Sequence, residues 1–179
     1  MSDDLRMTIR DELLILRCQQ GETDAFATLV DRWQQPLLRY AMRVTGDHDA
    51  AFDAVQETWM AAIAGLVRLK EIACFKVWLF RVLSNKCRDR LRSAARRDKL
   101  LAGAAAQHRA KIQPPAGEQA GLWEVVEKLP RESQAVLTLM YVEGFSVSEM
   151  AQVLGVPQGT VKSRLHYARE AVRKATERS

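Results

Sequence analysis

Cysteine is scarce in this 179-residue chain and poorly placed for metal work. Cys18, Cys74 and Cys87 form no CxxC pair, and His48, His108 and His166 stand singly, so no zinc spacing exists. An odd set of three thiols is read as structural, because free cysteine packs as a small hydrophobe. No apolar run reaches bilayer-spanning length, since Arg or Lys interrupts the longest candidates, and a membrane span is not expected. The N-terminal MSDDLRMTIRDELL is acidic and lacks an apolar signal core, which points to a cytoplasmic location. P-loop, HExxH and paired acidic metal signatures are all missing. The expected catalytic residues, metal ligands and cofactors are therefore none, which argues against an enzyme. Sustained period-two alternation is also lacking, which excludes a sheet-built fold.

What is present suits a globular helical protein. Hydrophobic residues make up 47% and charged residues 27%, enough of each for a real core under a polar surface. The net charge of +5 is unevenly spread. Residues 1–64 carry 6 basic against 11 acidic side chains, whereas 65–99 carry 11 against 3. Residues 100–157 are again mildly acidic, with 4 basic against 6 acidic, and 158–179 hold 6 against 2. Two basic segments separated by acidic ones suggest two places that meet a polyanion, although a charge run alone also fits a solvated face.

Helical periodicity runs through almost every segment. DELLILRCQQG reads as a short helix closed by Gly21. The next helix aligns Phe26, Leu29, Val30, Trp33, Leu37, Tyr40, Ala41 and Val44 and ends at Gly46, with Pro36 expected to kink or interrupt it. DAAFDAVQETWMAAIAGLVRL follows, with Phe52, Val55, Trp59, Ile63 and Leu66 as its expected buried stripe. After a short connection comes CFKVWLFRVLSNKCRDRLRSAARR, apolar at first and then increasingly basic. LLAGAAAQHRAKIQPPAGEQAG lacks aromatics and carries Pro114 and Pro115, so a flexible linker is placed at 100–120. Beyond it LWEVVEKL and RESQAVLTLMYVEG read as helices, stopped at Pro130 and Gly144. The expected fold is all-α: two small helical domains, 10–99 and 121–177, joined by that linker.

The last helices carry the sharpest signal. SVSEMAQVLG opens with Ser146 and Glu149 spaced as a capping box and closes at Gly155. In GVPQGTVKSRLHYARE, Val161, Leu165, Ala168 and Val172 form one stripe, and Lys162, His166, Arg169 and Arg173 form the stripe beside it. Helix, tight turn and basic-faced helix is the helix-turn-helix arrangement, whose second helix docks by its apolar side and enters a major groove. A solvated amphipathic helix would mix charge signs on its polar face, and here the acids are confined to Glu170 and Glu177.

LPRESQAVLTLMYVEGFSVSEMAQVLGVPQGTVKSRLHYARE resembles the C-terminal region-4 domain of bacterial sigma factors. DAFATLVDRWQQPLLRYAMRVTGDHDAAFDAVQETWMAAIAGL with FKVWLFRVLSNKCRDRLR resembles their region-2 domain. Both domains in this order, with no room for a third, are similar to the extracytoplasmic-function (ECF) group of the sigma-70 family. The resemblance spans about Leu13 to Lys174.

That resemblance implies the following roles. The helix holding DAVQETW docks on the coiled coil of the polymerase β′ subunit through Asp53, Gln56 and Glu57, which share one helical face; Phe52 stands where the family commonly has Glu. The second domain would meet the β flap. The minus-10 promoter element is opened and read by the loop Val67 to Cys74 and the helix after it, with Arg68, Lys70, Phe75, Lys76, Arg81, Asn85 and Arg88 as contacts. Phe75 and Trp78 are readable either as stacking platforms or as core, with core favoured for Trp78. The minus-35 element falls to Gln158, Thr160, Lys162, Ser163, His166 and Arg169. Partners are thus core RNA polymerase, promoter DNA and an anti-sigma factor. A stand-alone helix-turn-helix regulator would explain residues 122–179 and leave DAVQETW without a purpose.

Overall fold

Capping residues and left-handed glycines set several helix boundaries. The computed structural model describes residues 2–100 and 125–177, and all regular structure among them is helical. The first bundle holds α1 (Ser2–Gln19), α2 (Thr23–Thr45), α3 (His48–Leu66), a 3-10 turn (Ile72–Cys74) and α4 (Phe75–Leu100). The second cluster begins with a helical turn at 125–127, followed by α5 (Arg131–Leu137), a π turn (Thr138–Val142), α6 (Val147–Leu154) and α7 (Gln158–Thr176). Of the expected linker at 100–120, residues 101–120 lie outside the described residues, as does the start of LWEVVEKL, whereas Leu100 ends α4.

Those boundaries have a local cause. Gly46 takes φ 63°, open to glycine without strain, and its amide donates to the Met42 carbonyl at 2.8 Å. Asp47 then caps α3 by accepting from the Ala50 amide at 2.8 Å. Ser146 and Glu149 form the reciprocal capping box, and Gly155 ends α6 at φ 63°. Pro36 does not interrupt α2, which is unbroken from Thr23 to Thr45. Proline removes one backbone donor, and the buried Trp33 and Leu37 on either side keep the helix seated. α1 starts at Ser2, well before the DELLILR segment.

Small residues decide how α3 packs. Its buried face is Ala51, Ala54, Val55, Thr58, Trp59, Ala62 and Leu66. Phe52 and Ile63, expected in that stripe, are 41% and 59% exposed. Alanines let neighbouring helices approach closely, and that rotates the larger pair toward solvent. α2 and α4 supply the aromatic centre: Trp33 meets Phe75 and Phe80 at 6.3 and 6.2 Å, and Tyr40 meets Phe80 at 5.6 Å, all edge to face.

The second cluster closes on Val136, Leu139, Met150, Val153, Val161, Leu165 and Ala168, all buried. The segment from Arg131 to Gly144 is not one regular helix. It widens after Leu137, so that the Glu143 amide reaches the Thr138 carbonyl at 3.0 Å and the Phe145 amide reaches Leu139 at 2.8 Å. The two clusters are in contact, α4 lying against α6 and α2 against α5.

Candidate nucleic-acid interface

The basic face of α7 is built as the sequence requires. Val161, Leu165 and Ala168 are buried against α5 and α6, which turns Lys162, Ser163 and His166 outward. Pro157 precedes the helix, and its carbonyl accepts the Thr160 amide at 2.9 Å. Gln158 is exposed at the first turn, with its amide 3.4 Å from the Ser148 hydroxyl, and Thr160 is half-buried beside it. Arg169 is exposed but leans back on the π turn: its Nε donates to the Tyr141 hydroxyl at 2.8 Å, and its guanidinium lies 5.7 Å from that ring. Arg173 is paired with Glu170 and Glu177, each at 2.9 Å. Among the described residues, the free cationic donor nearest the helix start is therefore Lys162.

The α4 residues divide by burial. Arg68 and Lys70 in the preceding loop are exposed, as are Arg81 and Asn85; the Asn85 side chain accepts from Arg88 at 2.9 Å. Phe75 is only 2% exposed and sits between Trp33 and Trp78, so it has no free face for a base. Trp78 is half-buried over Gly65, where an added Cβ would strike its ring. Lys76 is half-buried and donates to the Glu143 backbone carbonyl, with its ammonium 4.7 Å from the Phe145 ring centroid.

Asp53, Gln56 and Glu57 do share one side of α3, but the two acids are not a bare acidic face. Arg90 of α4 bridges them, with Nη1 2.8 Å from Asp53 Oδ2 and Nη2 on Glu57 Oε1. Lys86 holds the other Glu57 oxygen at 3.2 Å. The Arg90 hydrogen bond keeps the Glu57 carboxyl below its ordinary range, with Lys86 helping and partial burial opposing. Gln56 is exposed, and around it stand the exposed apolar side chains Phe52, Met60, Ile63 and Val67. The surface is thus apolar in the middle with an acidic edge braced by cations.

Two family models match the chain in order. The one described as Sigma-70 region 2 matches residues 29–97, and the one described as Sigma-70, region 4 matches residues 120–172. Together they cover more than half of the sequence. The chain belongs to the sigma-70 family. It is 29% identical to the RNA polymerase sigma-H factor of Pseudomonas aeruginosa, across 94% of each chain. It is 28% identical to the ECF RNA polymerase sigma-E factor of Haemophilus influenzae, across 92% of this chain and 94% of that protein. Among solved structures it resembles CnrH in complex with the cytosolic domain of CnrY, at 27% identity and TM-score 0.65, covering 95% of this chain and 99% of that one. The fold also matches RpoE of Bartonella quintana at TM-score 0.72 and 24% identity, across 85% and 96%.

The protein is therefore a sigma factor of the ECF type, a component of RNA polymerase promoter recognition and not itself an enzyme. Among the described residues no cluster of His, Cys, Asp or Glu is arranged to hold a metal, and no helix is long and apolar enough to cross a membrane. The three cysteines are free thiols; Cys87 is buried and pushed up to about 12, mainly by desolvation, whereas Cys74 is exposed.

Sequence reasoning missed Arg90, Lys86, Glu143 and Phe145. Arg90 and Lys86 are hidden within a run of cations, and nothing local marks which of them turns toward α3. Glu143 and Phe145 lie in a turn whose partners are more than 60 residues earlier, as with Lys76, 67 residues away.

Proposed function

We propose that this sigma factor docks on the β′ coiled coil of core RNA polymerase through α3 and on the β flap through its second cluster. In this reading the unit spanning 10–99 reads the minus-10 element with α4 and the loop before it, and the unit spanning 121–177 reads the minus-35 element with α7. The observation that carries it is the α7 face: Lys162, Ser163 and His166 stand exposed on a helix fixed by a buried apolar stripe behind a capped first helix. A helix so held delivers its first turns to base edges, with Lys162 as donor to guanine acceptors.

The α3 face supports the polymerase half of the reading. Gln56 with Phe52, Met60 and Ile63 offers a desolvatable centre, and Asp53 and Glu57 give charge selectivity at the edge. Docking would also fix the spacing of two DNA-reading surfaces that are each weak alone, which converts them into one composite site. An anti-sigma factor completes the partner set; the solved CnrH was captured with the cytosolic domain of CnrY. The site of action would be the cytoplasm, where polymerase and promoter meet.

The direct test mixes the purified protein with core polymerase and sequences transcripts initiated on genomic DNA. A defined set of start sites sharing two upstream elements is expected, lost on Asp53→Lys with Gln56→Ala. Tight binding of the free protein to one operator at physiological salt, with those substitutions harmless, would sink the reading in favour of an autonomous regulator.

A further inference from the structure

The chain that leaves α3 is tied down by the end of α1. The loop 67–74, assigned above to the minus-10 element, touches α1 at its 3-10 turn before it enters α4. Gln19, the last residue of α1, reaches the start of that loop with its side-chain amide. Its Nε2 donates to the Leu66 carbonyl at 3.0 Å and to the Leu69 carbonyl at 2.9 Å, across 47 and 50 residues of sequence. Both partners are acceptors, so the NH2 end of the amide must face them, and both of its donors are used. Leu66 closes α3, where the last carbonyls have no partner within the helix, and Leu69 lies beyond the turn. One side chain thus joins the end of a helix to the loop after it and sets the direction in which the backbone departs.

Gln19 is itself held firmly. α1 is fixed on α2 by fully buried Ile15 and by the Asp11–Arg32 pair at 2.9 Å. Just beyond Gln19, the turn at Gly21 is closed by the Arg17–Glu22 ion pair at 2.6 Å and by the Glu22 amide on the Arg17 carbonyl at 3.1 Å. On the loop side, Leu69 and Ile72 pack partly buried against the core, while Arg68, Lys70 and Glu71 are exposed. The Arg68 and Leu69 amides make local turn bonds to Gly65 and Leu66 at 3.0 and 3.1 Å, and Gln19 relates that turn to the rest of the bundle. We propose that Gln19 is a positioning residue for promoter reading: its forked amide holds the loop 67–74 in the shape that selects a base of the minus-10 element. The inference rests on the assignment of this loop to DNA given above. A loop freed from that tie must be ordered when DNA binds, and its other shapes accept bases that the held one rejects.

The test uses the full chain with core polymerase and a promoter library randomised in the minus-10 and minus-35 elements, read by sequencing the transcripts. Gln19→Met keeps the length and removes both donors, and Gln19→Asn, one methylene shorter, serves as the milder change. Gln19→Lys restores donors, with Gln20→Lys on the exposed next residue as the control for added charge. Hydrogen exchange over 67–74, followed by mass spectrometry on the free protein, reports the tie without DNA or polymerase. Neutral hydrogen bonds are each worth about two- to tenfold in an equilibrium, so Gln19→Met should speed loop exchange about tenfold and flatten the minus-10 base preference about fivefold. The minus-35 preference should stay unchanged, Gln19→Asn should fall between, Gln19→Lys should return toward wild type and Gln20→Lys should match it. A merely stabilising contact would lower the melting temperature and transcript yield while leaving base preference intact, and that result overturns the proposal. Unchanged loop exchange in folded Gln19→Met or Gln19→Asn overturns it too. The pair Arg68→Ala/Lys70→Ala separates the two readings. If that pair also leaves the minus-10 preference untouched, the loop's assignment to DNA falls and the proposal with it. If the pair alters the preference and the Gln19 variants do not, the role of Gln19 alone is refuted.

Discussion

Arg90 is the residue whose removal tells most about the side of α3 proposed to meet polymerase. Its guanidinium spans two carboxylates one helical turn apart, 2.8 Å from Asp53 and hydrogen-bonded to Glu57. All three side chains are between a third and a half exposed, so each pair is worth about 0.2–1 kcal/mol rather than the value of a buried pair. Arg90→Ala also leaves Asp53 and Glu57 as like charges at i and i+4, a further penalty of about 0.2–0.5 kcal/mol that Lys86 only partly offsets. The expected loss is about 1–1.5 kcal/mol in the stability of the first bundle, read from urea unfolding. Affinity for core polymerase, read by fluorescence anisotropy, should fall as well, because the two acids lose the group that fixes their rotamers. The decisive measurement is a double-mutant cycle with Glu57→Gln. Coupling of about 0.5–1 kcal/mol is expected, and additivity within about 0.3 kcal/mol would refute the brace.

Four further outcomes are expected. Lys162→Ala should weaken promoter use through the minus-35 element by about 1–3 kcal/mol, with a compensating change in base preference at one position when a promoter library is sequenced. Gly65→Ala places a methyl group against the Trp78 ring and should cost about 1–3 kcal/mol by thermal unfolding, relieved when Trp78 is shortened to Leu. Burial raises the Cys87 thiol to about 12, so almost no thiolate exists at pH 8; iodoacetamide should modify exposed Cys74 quickly and Cys87 only after unfolding, as peptide mass mapping would show. Acid should loosen α3 from α4: the Glu57 pKa is lowered in the folded chain, so its contribution is present above the ordinary Glu value and lost as pH falls through the lower folded one.

Features with local causes were legible in the sequence. The capping box at Ser146 and Glu149, the left-handed closures at Gly46 and Gly155 and the basic face of α7 each depend on residues within a few positions of one another, and each is present. Periodicity placed α3 correctly but misjudged its rotation, because a hydrophobicity pattern gives Phe52 and Ile63 more weight than the alanines that permit close packing. The π turn left no mark either, since an extra residue in a helical turn changes hydrogen bonding without changing composition. Glu143 was least legible of all. Desolvation raises its carboxyl above the ordinary range, and its Arg39 partner comes from a helix 104 residues earlier. No window of sequence holds both.

That separation of 104 residues gives the contact a place in time. The ribosome finishes α4 at Leu100 and makes Glu143 43 residues later. At roughly 5–20 residues per second, that interval lasts about 2–9 s, far longer than a small helical bundle needs to fold. Every copy therefore passes through a stage in which the first bundle is formed and its α4 surface has no cover. A nascent chain therefore carries a first bundle that the second cluster has not yet covered, and the rate of translation sets how long that surface stays uncovered.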